Sequence, residues 1–139
     1  MVVVAAVDRS EDAQDVIAEG TQLASALEVP LHVVHAVGSA EFAQLQREHV
    51  SSTDAEGGVL SRRDVAAERA RELVNAEDDA IEIAGLDGEP AESIVEYANE
   101  RDAAYVVLGG RDRTPAGKAV FGSVAQSVIL SLDRPVVVV

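Results

Sequence analysis

The chain reads as an α/β protein, a three-layer sandwich in which a parallel sheet is covered by helices on both faces. Two observations predict this class. Short strand-type segments alternate with amphipathic helical segments along all 139 residues. Each strand segment is apolar throughout instead of alternating, the pattern of a strand buried on both faces. The length adds a bound. One domain spanning residues 1–139 suffices, long enough to bury roughly 70% of its unfolded surface.

Val2–Val7 is a continuous apolar run too short for an isolated helix, so it is expected to be the first strand, ending at Asp8. Ser10 is expected to cap the first helix, with Glu11 and Asp12 in its favourable first turn. Ala13, Val16, Ile17, Gly20, Leu23, Ala24 and Leu27 then recur at helical spacing until Pro30 stops the helix. Leu31–Val37 reads as a second buried strand. The polar stretch from Gly38 to Gly58 reads as a mobile excursion with a short helix around Phe42 and Leu45. A helix over Val59–Ala76, a short strand over Ala80–Ala84 and a turn over Gly85–Glu89 follow. Pro90 suits the first helical position, and Ala91, Ile94, Val95 and Ala98 make the buried stripe behind it. Tyr105–Leu108 is the fourth strand. Val124, Val128, Ile129 and Leu132 line a last helix, which Asp133-Arg134-Pro135 breaks before a terminal strand over Val136–Val139.

The fourth strand ends abruptly in Gly109-Gly110. A loop carrying Arg111, Arg113 and Lys118 follows, and Gly122-Ser123 opens the last helix. Glycine lets a backbone approach a ligand closely, or turn through φ > 0. A helix starting at Ser123 leaves its first N–H groups without intrahelical acceptors and its positive dipole end exposed, which favours an anion. In doubly wound sheets ligands sit beyond the carboxyl ends of strands where strand order reverses. Asp8 and Gly109 both lie at such ends, so a crevice is expected between the first and fourth strands if they are neighbours.

Charge narrows the partners. Against 25 acidic residues stand ten Arg and the single Lys118, for a net charge of −14. Such a surface repels nucleic acid and anionic membranes, so neither is an expected partner. An acidic coat nearly devoid of lysine fits a source that lives in concentrated salt better than an ordinary acidic protein, because at ~1 M salt the Debye length is about 3 Å and self-repulsion fades. No apolar stretch approaches the ~20 residues of a membrane span, and the N-terminus shows no secretory pattern, so a cytoplasmic protein is expected. With no cysteine there are no disulfides and no thiolate metal sites.

Competing chemistries fit less well. His32 and His35 lie three apart on a strand and point to opposite faces, so they cannot share a metal and are expected to be packed and satisfied. Gly117-Lys118 has the wrong company for a P-loop: Asp112 stands where its first glycine belongs, and Ala119 replaces the metal-binding hydroxyl. Asp8-Arg9-Ser10-Glu11-Asp12 is too acidic for a flavin phosphate loop.

Taken together, these residues resemble the universal stress protein family over the full length. The resemblance rests on Asp8-x-Ser10 after the opening strand, Leu31-His32-Val33-Val34-His35, Gly88-x-Pro90 and the closing Arg134-Pro135-Val136-Val137-Val138. Its sharpest element is the family's nucleotide motif, Gly, two residues, Gly, nine residues, Gly-Ser or Gly-Thr. Gly109 and Gly122-Ser123 keep the spacing, with Asp112 in place of the second glycine. The resemblance implies an adenine-nucleotide α-hydrolase-like fold with strand order 3-2-1-4-5. It further implies adenine and ribose near Ala6, Val7, Asp8, Ala36 and Val37, and phosphates on the backbone around Leu108, Gly109, Arg111, Asp112 and Gly122, Ser123, Val124 and Ala125. Relatives commonly dimerise through the last strand, here Val136–Val139.

Asp112 is the substantive departure, since its carboxylate would stand near a triphosphate; Arg111, Arg113, Lys118 or a shared Mg²⁺ would offset the repulsion. Ala125 also lacks the hydroxyl that several ATP-binding relatives carry two residues after the serine. The expected function is therefore ATP or related adenine-nucleotide binding by a homodimer, with a role in sensing or stress protection through dimer or partner regulation. The alternative is a nucleotide-free module that binds a protein partner. An ATP-hydrolysing enzyme is the weakest reading, because no residue presents itself as a base for water, and any turnover is expected to be slow.

Overall fold

The computed structural model describes residues 1–8, 12–38, 43, 44, 47, 62–74, 81–113, 117 and 119–139, with backbone alone at 62, 111–113, 119 and 120. The elements in order are β1 (Val2–Ala6), α1 (Ala13–Leu27), β2 (Leu31–Val37), α2 (Arg62–Leu73), β3 (Ile81–Asp87), α3 (Pro90–Glu100), β4 (Ala103–Leu108), β5 (Arg111–Arg113), β6 (Ala119–Phe121), α4 (Ser123–Ser131) and β7 (Val136–Val138). Five strands form one parallel sheet in the order β3-β2-β1-β4-β7. This is the 3-2-1-4-5 order implied by the resemblance, once the small β5-β6 pair is set aside.

Alternation along each strand sorts the core into two layers. Val3, Ala5 and Val7 of the first strand segment pack with Leu31, Val33 and Val107 under Ala13, Val16 and Ala24 of α1 and Ala70 beyond. Val2, Val4 and Ala6 face the other way, with Val34, Ala36, Val106 and Leu108 under α3 and α4. A central strand with two covered faces has no polar side, which is why its residues are uniformly apolar. Tyr97 is buried in this largely aliphatic core, and the helical stripe predicted for α3 omitted it.

Boundaries depart from the sequence reading at several places, among them the helix expected over Val59–Ala76, which ends at Leu73. Helix α1 begins at Ala13 with Asp12 at its N-cap, and the proposed cap Ser10 lies outside the described residues. Leu27, placed on the buried stripe, is 43% exposed, because α1 ends there and Glu28 turns left-handed at φ 55°. The turn expected over Gly85–Glu89 is in part strand: β3 continues through Asp87, since Gly85 gives α2 room to lie against the sheet. The fourth strand begins earlier, at Ala103. On α4 the buried residues are Ala125 and Val128, with Leu132 at its end, while Val124 and Ile129 are partly exposed. Phe42, Leu45 and most of the 38–58 excursion lie outside the described residues, with 43, 44 and 47 helical.

Candidate functional site

Strand β1 pairs with β2 on one side and β4 on the other, and the chain reverses its winding direction there. The register Ala6↔Leu108 aligns the carboxyl ends of β1 and β4, so Val7-Asp8 and Gly109-Gly110 leave the sheet side by side. That is the switch point at which doubly wound sheets bind ligands.

The two glycines that end β4 serve opposite layers. A Cβ on Gly109 would lie 2.9 Å from the Asp12 Cβ and 3.4 Å from Val16 Cγ2, so its bareness admits the first turn of α1. Gly110 has φ +101°, a conformation open mainly to glycine, and faces α4. Its carbonyl accepts the Gly122 N–H at 2.8 Å, and its own N–H donates to the Asp12 carboxylate at 3.4 Å. The ends of three elements are drawn together on two adjacent residues.

Helix α4 starts at Ser123 with Gly122 at the N-cap, as the spacing predicts. The Gln126 N–H closes the first turn on the Gly122 carbonyl at 3.0 Å. The N–H groups of Ser123, Val124 and Ala125 therefore precede the first intrahelical bond, at the positive end of the helix dipole.

A cleft of about 360 Å³ opens here, walled by Val7, Asp8, His35, Ala36, Pro90, Ile94, Leu108, Gly109, Val124 and Ala125. It brings together Val7, Asp8, Ala36, Leu108, Gly109, Val124 and Ala125 of the residues named from sequence. Ala6 packs in the core beneath, with Val34 and Ala36. Val37 turns away and packs with Ala66 of α2. Gly122 and Ser123 stand at the α4 terminus beside the cleft. Among the described residues, somewhat larger surface grooves run along β7 and between α3 and α4, away from the carboxyl ends of the central strands.

Sequence reasoning did not place His35, Pro90 and Ile94 in this wall. His35 is 3% exposed, and its Nδ1–H donates to the Val7 carbonyl at 2.7 Å, tying β2 to the chain just before Asp8. Its position at the end of an apolar strand was the available signal. His32 is satisfied elsewhere, between Tyr97 and Glu82, and among the described residues no group of three His, Cys, Asp or Glu side chains could hold a metal.

The segment expected to be a loop after Gly110 contains a two-stranded antiparallel ribbon, with Asp112 opposite Val120. Asp112 is thus in extended strand, a backbone any residue adopts; among the described residues after the fourth strand, positive φ falls on Gly110 and Gly117. The side chains of Arg111, Asp112, Arg113 and Lys118 lie outside the described residues. Among the described residues no helix is long and apolar enough to cross a membrane.

Comparison with known proteins agrees with this architecture. The stress response protein NhaX of Bacillus subtilis is 40% identical over 70 residues, a match covering 50% of this chain and 42% of that protein. A crystal structure described as a universal stress protein in complex with cAMP has a TM-score of 0.62 at 25% identity, covering 100% of this chain and 95% of that one. The universal stress protein from Archaeoglobus fulgidus in complex with dAMP has a TM-score of 0.59 at 27% identity, covering 99% and 96%. The family model described as "Universal stress protein family" matches residues 1–139, and the chain belongs to that family.

Proposed function

We propose that this protein binds an adenine nucleotide, ATP or a related adenylate, in the cleft between β1 and β4. Phosphate would be held by the amides at the start of α4, and the ribose or base by Val7, Asp8 and Ala36. One observation carries the reading: the end of β4 and the first turn of α4 wall the same cleft as the carboxylate-bearing tip of β1. Family members in complex with cAMP and dAMP support it. Mg²⁺ would enter with the phosphates of a triphosphate and offset the acidic residues nearby. We further propose that the protein acts in the cytoplasm as a homodimer through Val136–Val139, with nucleotide occupancy biasing dimer shape or partner binding during stress. Mass spectrometry of protein purified natively in KCl should detect a co-purified adenylate, and calorimetry should give saturable heat with AMP or Mg-ATP. Absence of both would overturn the nucleotide reading.

Asp112 favours a second reading, a nucleotide-free interaction module. Pull-downs whose captured partners are indifferent to added nucleotide would support it, and nucleotide-dependent capture would count against it.

A further inference from the structure

We propose that Asp12 is the residue that sets which adenylates the cleft accepts, admitting a single phosphate readily and a triphosphate only as its Mg²⁺ complex. The inference rests on reading the cleft as an adenine-nucleotide site. Asp12 occupies the N-cap of α1, where a short acidic side chain ordinarily accepts from its own helix. It makes no such bond. Its carboxylate turns instead to the end of β4 and accepts from the Gly110 N–H at 3.4 Å. The Gly110 carbonyl in turn receives the Gly122 N–H, at the residue that caps α4.

Gly110 therefore stands between a fixed carboxylate and the amide cluster at the head of α4. The bareness of Gly109 makes the arrangement possible, since a Cβ there would meet the Asp12 Cβ at 2.9 Å. A phosphate arriving at the α4 amides meets a negative charge already holding the adjoining backbone donor. Like charges repel in proportion to the charge each carries, and less where solvent screens them. A nucleotide with one phosphate presents a small charge and can settle on α4 alone. A free triphosphate roughly doubles the charge brought against Asp12. Magnesium removes two of those charges and offers Asp12 an oxygen-seeking cation to face.

Calorimetry at low salt tests this with AMP and ATP, each in excess EDTA and in excess Mg²⁺. For the native protein, ATP in EDTA should bind at least about tenfold more weakly than AMP, and magnesium should close the gap. Asp12→Asn keeps a carbonyl oxygen for the Gly110 N–H and removes the charge, so ATP in EDTA should come within about threefold of AMP. Asp12→Ser, equally uncharged, should do the same, and thermal melts establish that both variants fold. An ATP-to-AMP ratio in EDTA that is unchanged in both folded variants, while AMP still binds, overturns the role of Asp12 and leaves the nucleotide reading standing. Failure of AMP and ATP to bind any of the three proteins overturns the nucleotide reading, and this inference with it.

Discussion

Gly85 faces the backbone of Arg63 across the contact between β3 and α2. A Cβ added to Gly85 would run into the Arg63 carbonyl oxygen and lie 2.5 Å from the Ala67 nitrogen. Neither neighbour is a side chain that can swing aside. Gly85→Ala should therefore force α2 off the sheet and destabilise the protein by about 3 kcal/mol or more, the upper end for overpacking. A urea midpoint within error of the native one would show that α2 does not pack here as described.

That contact also explains where sequence reasoning stopped short. An isolated glycine after Ile81-Glu82-Ile83-Ala84 reads as a turn, because its one cue is local. What keeps Gly85 in the strand is a helix some twenty positions upstream, which no window around it contains. The strand–helix alternation and the start of α4 were legible, because apolar runs and a Gly-Ser helix start are local signals; the sheet order came only with the family resemblance, and the crevice depended on β1 and β4 proving to be neighbours. The roles of Asp12 and His35 were not, since each depends on a partner brought in by tertiary packing: Gly110 for Asp12, Val7 for His35.

His32 joins three elements. Its Nε2–H donates to the Glu82 carboxylate at 2.8 Å, leaving Nδ1 to accept the Tyr97 hydroxyl at 2.8 Å, so the neutral ring satisfies both neighbours. Burial holds its pKa below the ordinary 6.5; Glu82 opposes that shift, and Arg101 and the amino terminus add to it. The unfolded chain then takes up a proton at higher pH than the folded one. The stabilising contribution is whole above about 6.5, shrinks as pH falls through that value, and is lost once the lowered folded pKa is passed. Urea midpoints of the native protein and His32→Gln should converge on going from pH about 7.5 to about 5. Parallel curves would contradict the assignment.

Ser123 is exposed at the first position of α4. A carboxylate there complements the helix dipole, so Ser123→Asp should leave stability unchanged or raise it by about 0.3–1 kcal/mol. The same charge faces any phosphate held by the α4 amides. AMP affinity should drop by about tenfold or more, which corresponds to ~1.4 kcal/mol. A variant that melts higher and binds AMP as well as the native protein would place the phosphate elsewhere.

The net charge of −14 should make stability depend on salt. In molar KCl the Debye length falls to about 3 Å, and repulsion among the surface carboxylates fades. The thermal midpoint should climb by about 4 °C for each ~1 kcal/mol of repulsion relieved in a chain of this size. A midpoint indifferent to KCl would argue against adaptation to concentrated salt.

Strand β7 is an outer strand of the sheet, with β4 as its sheet neighbour. Its other edge borders a groove of about 520 Å³ walled by Phe121, Ile129, Arg134, Val136 and Val138. An unpaired apolar edge invites pairing with another chain, and a two-fold arrangement would set this groove against its own copy. Ile129 is 40% exposed, so a charge there leaves the monomer's core intact. Ile129→Glu places a like charge near the axis and should convert a sedimenting dimer to monomer without lowering the urea midpoint of the folded chain. A native protein that sediments as a monomer in molar KCl would overturn the proposed dimer, and a variant that remains dimeric would move the interface away from β7.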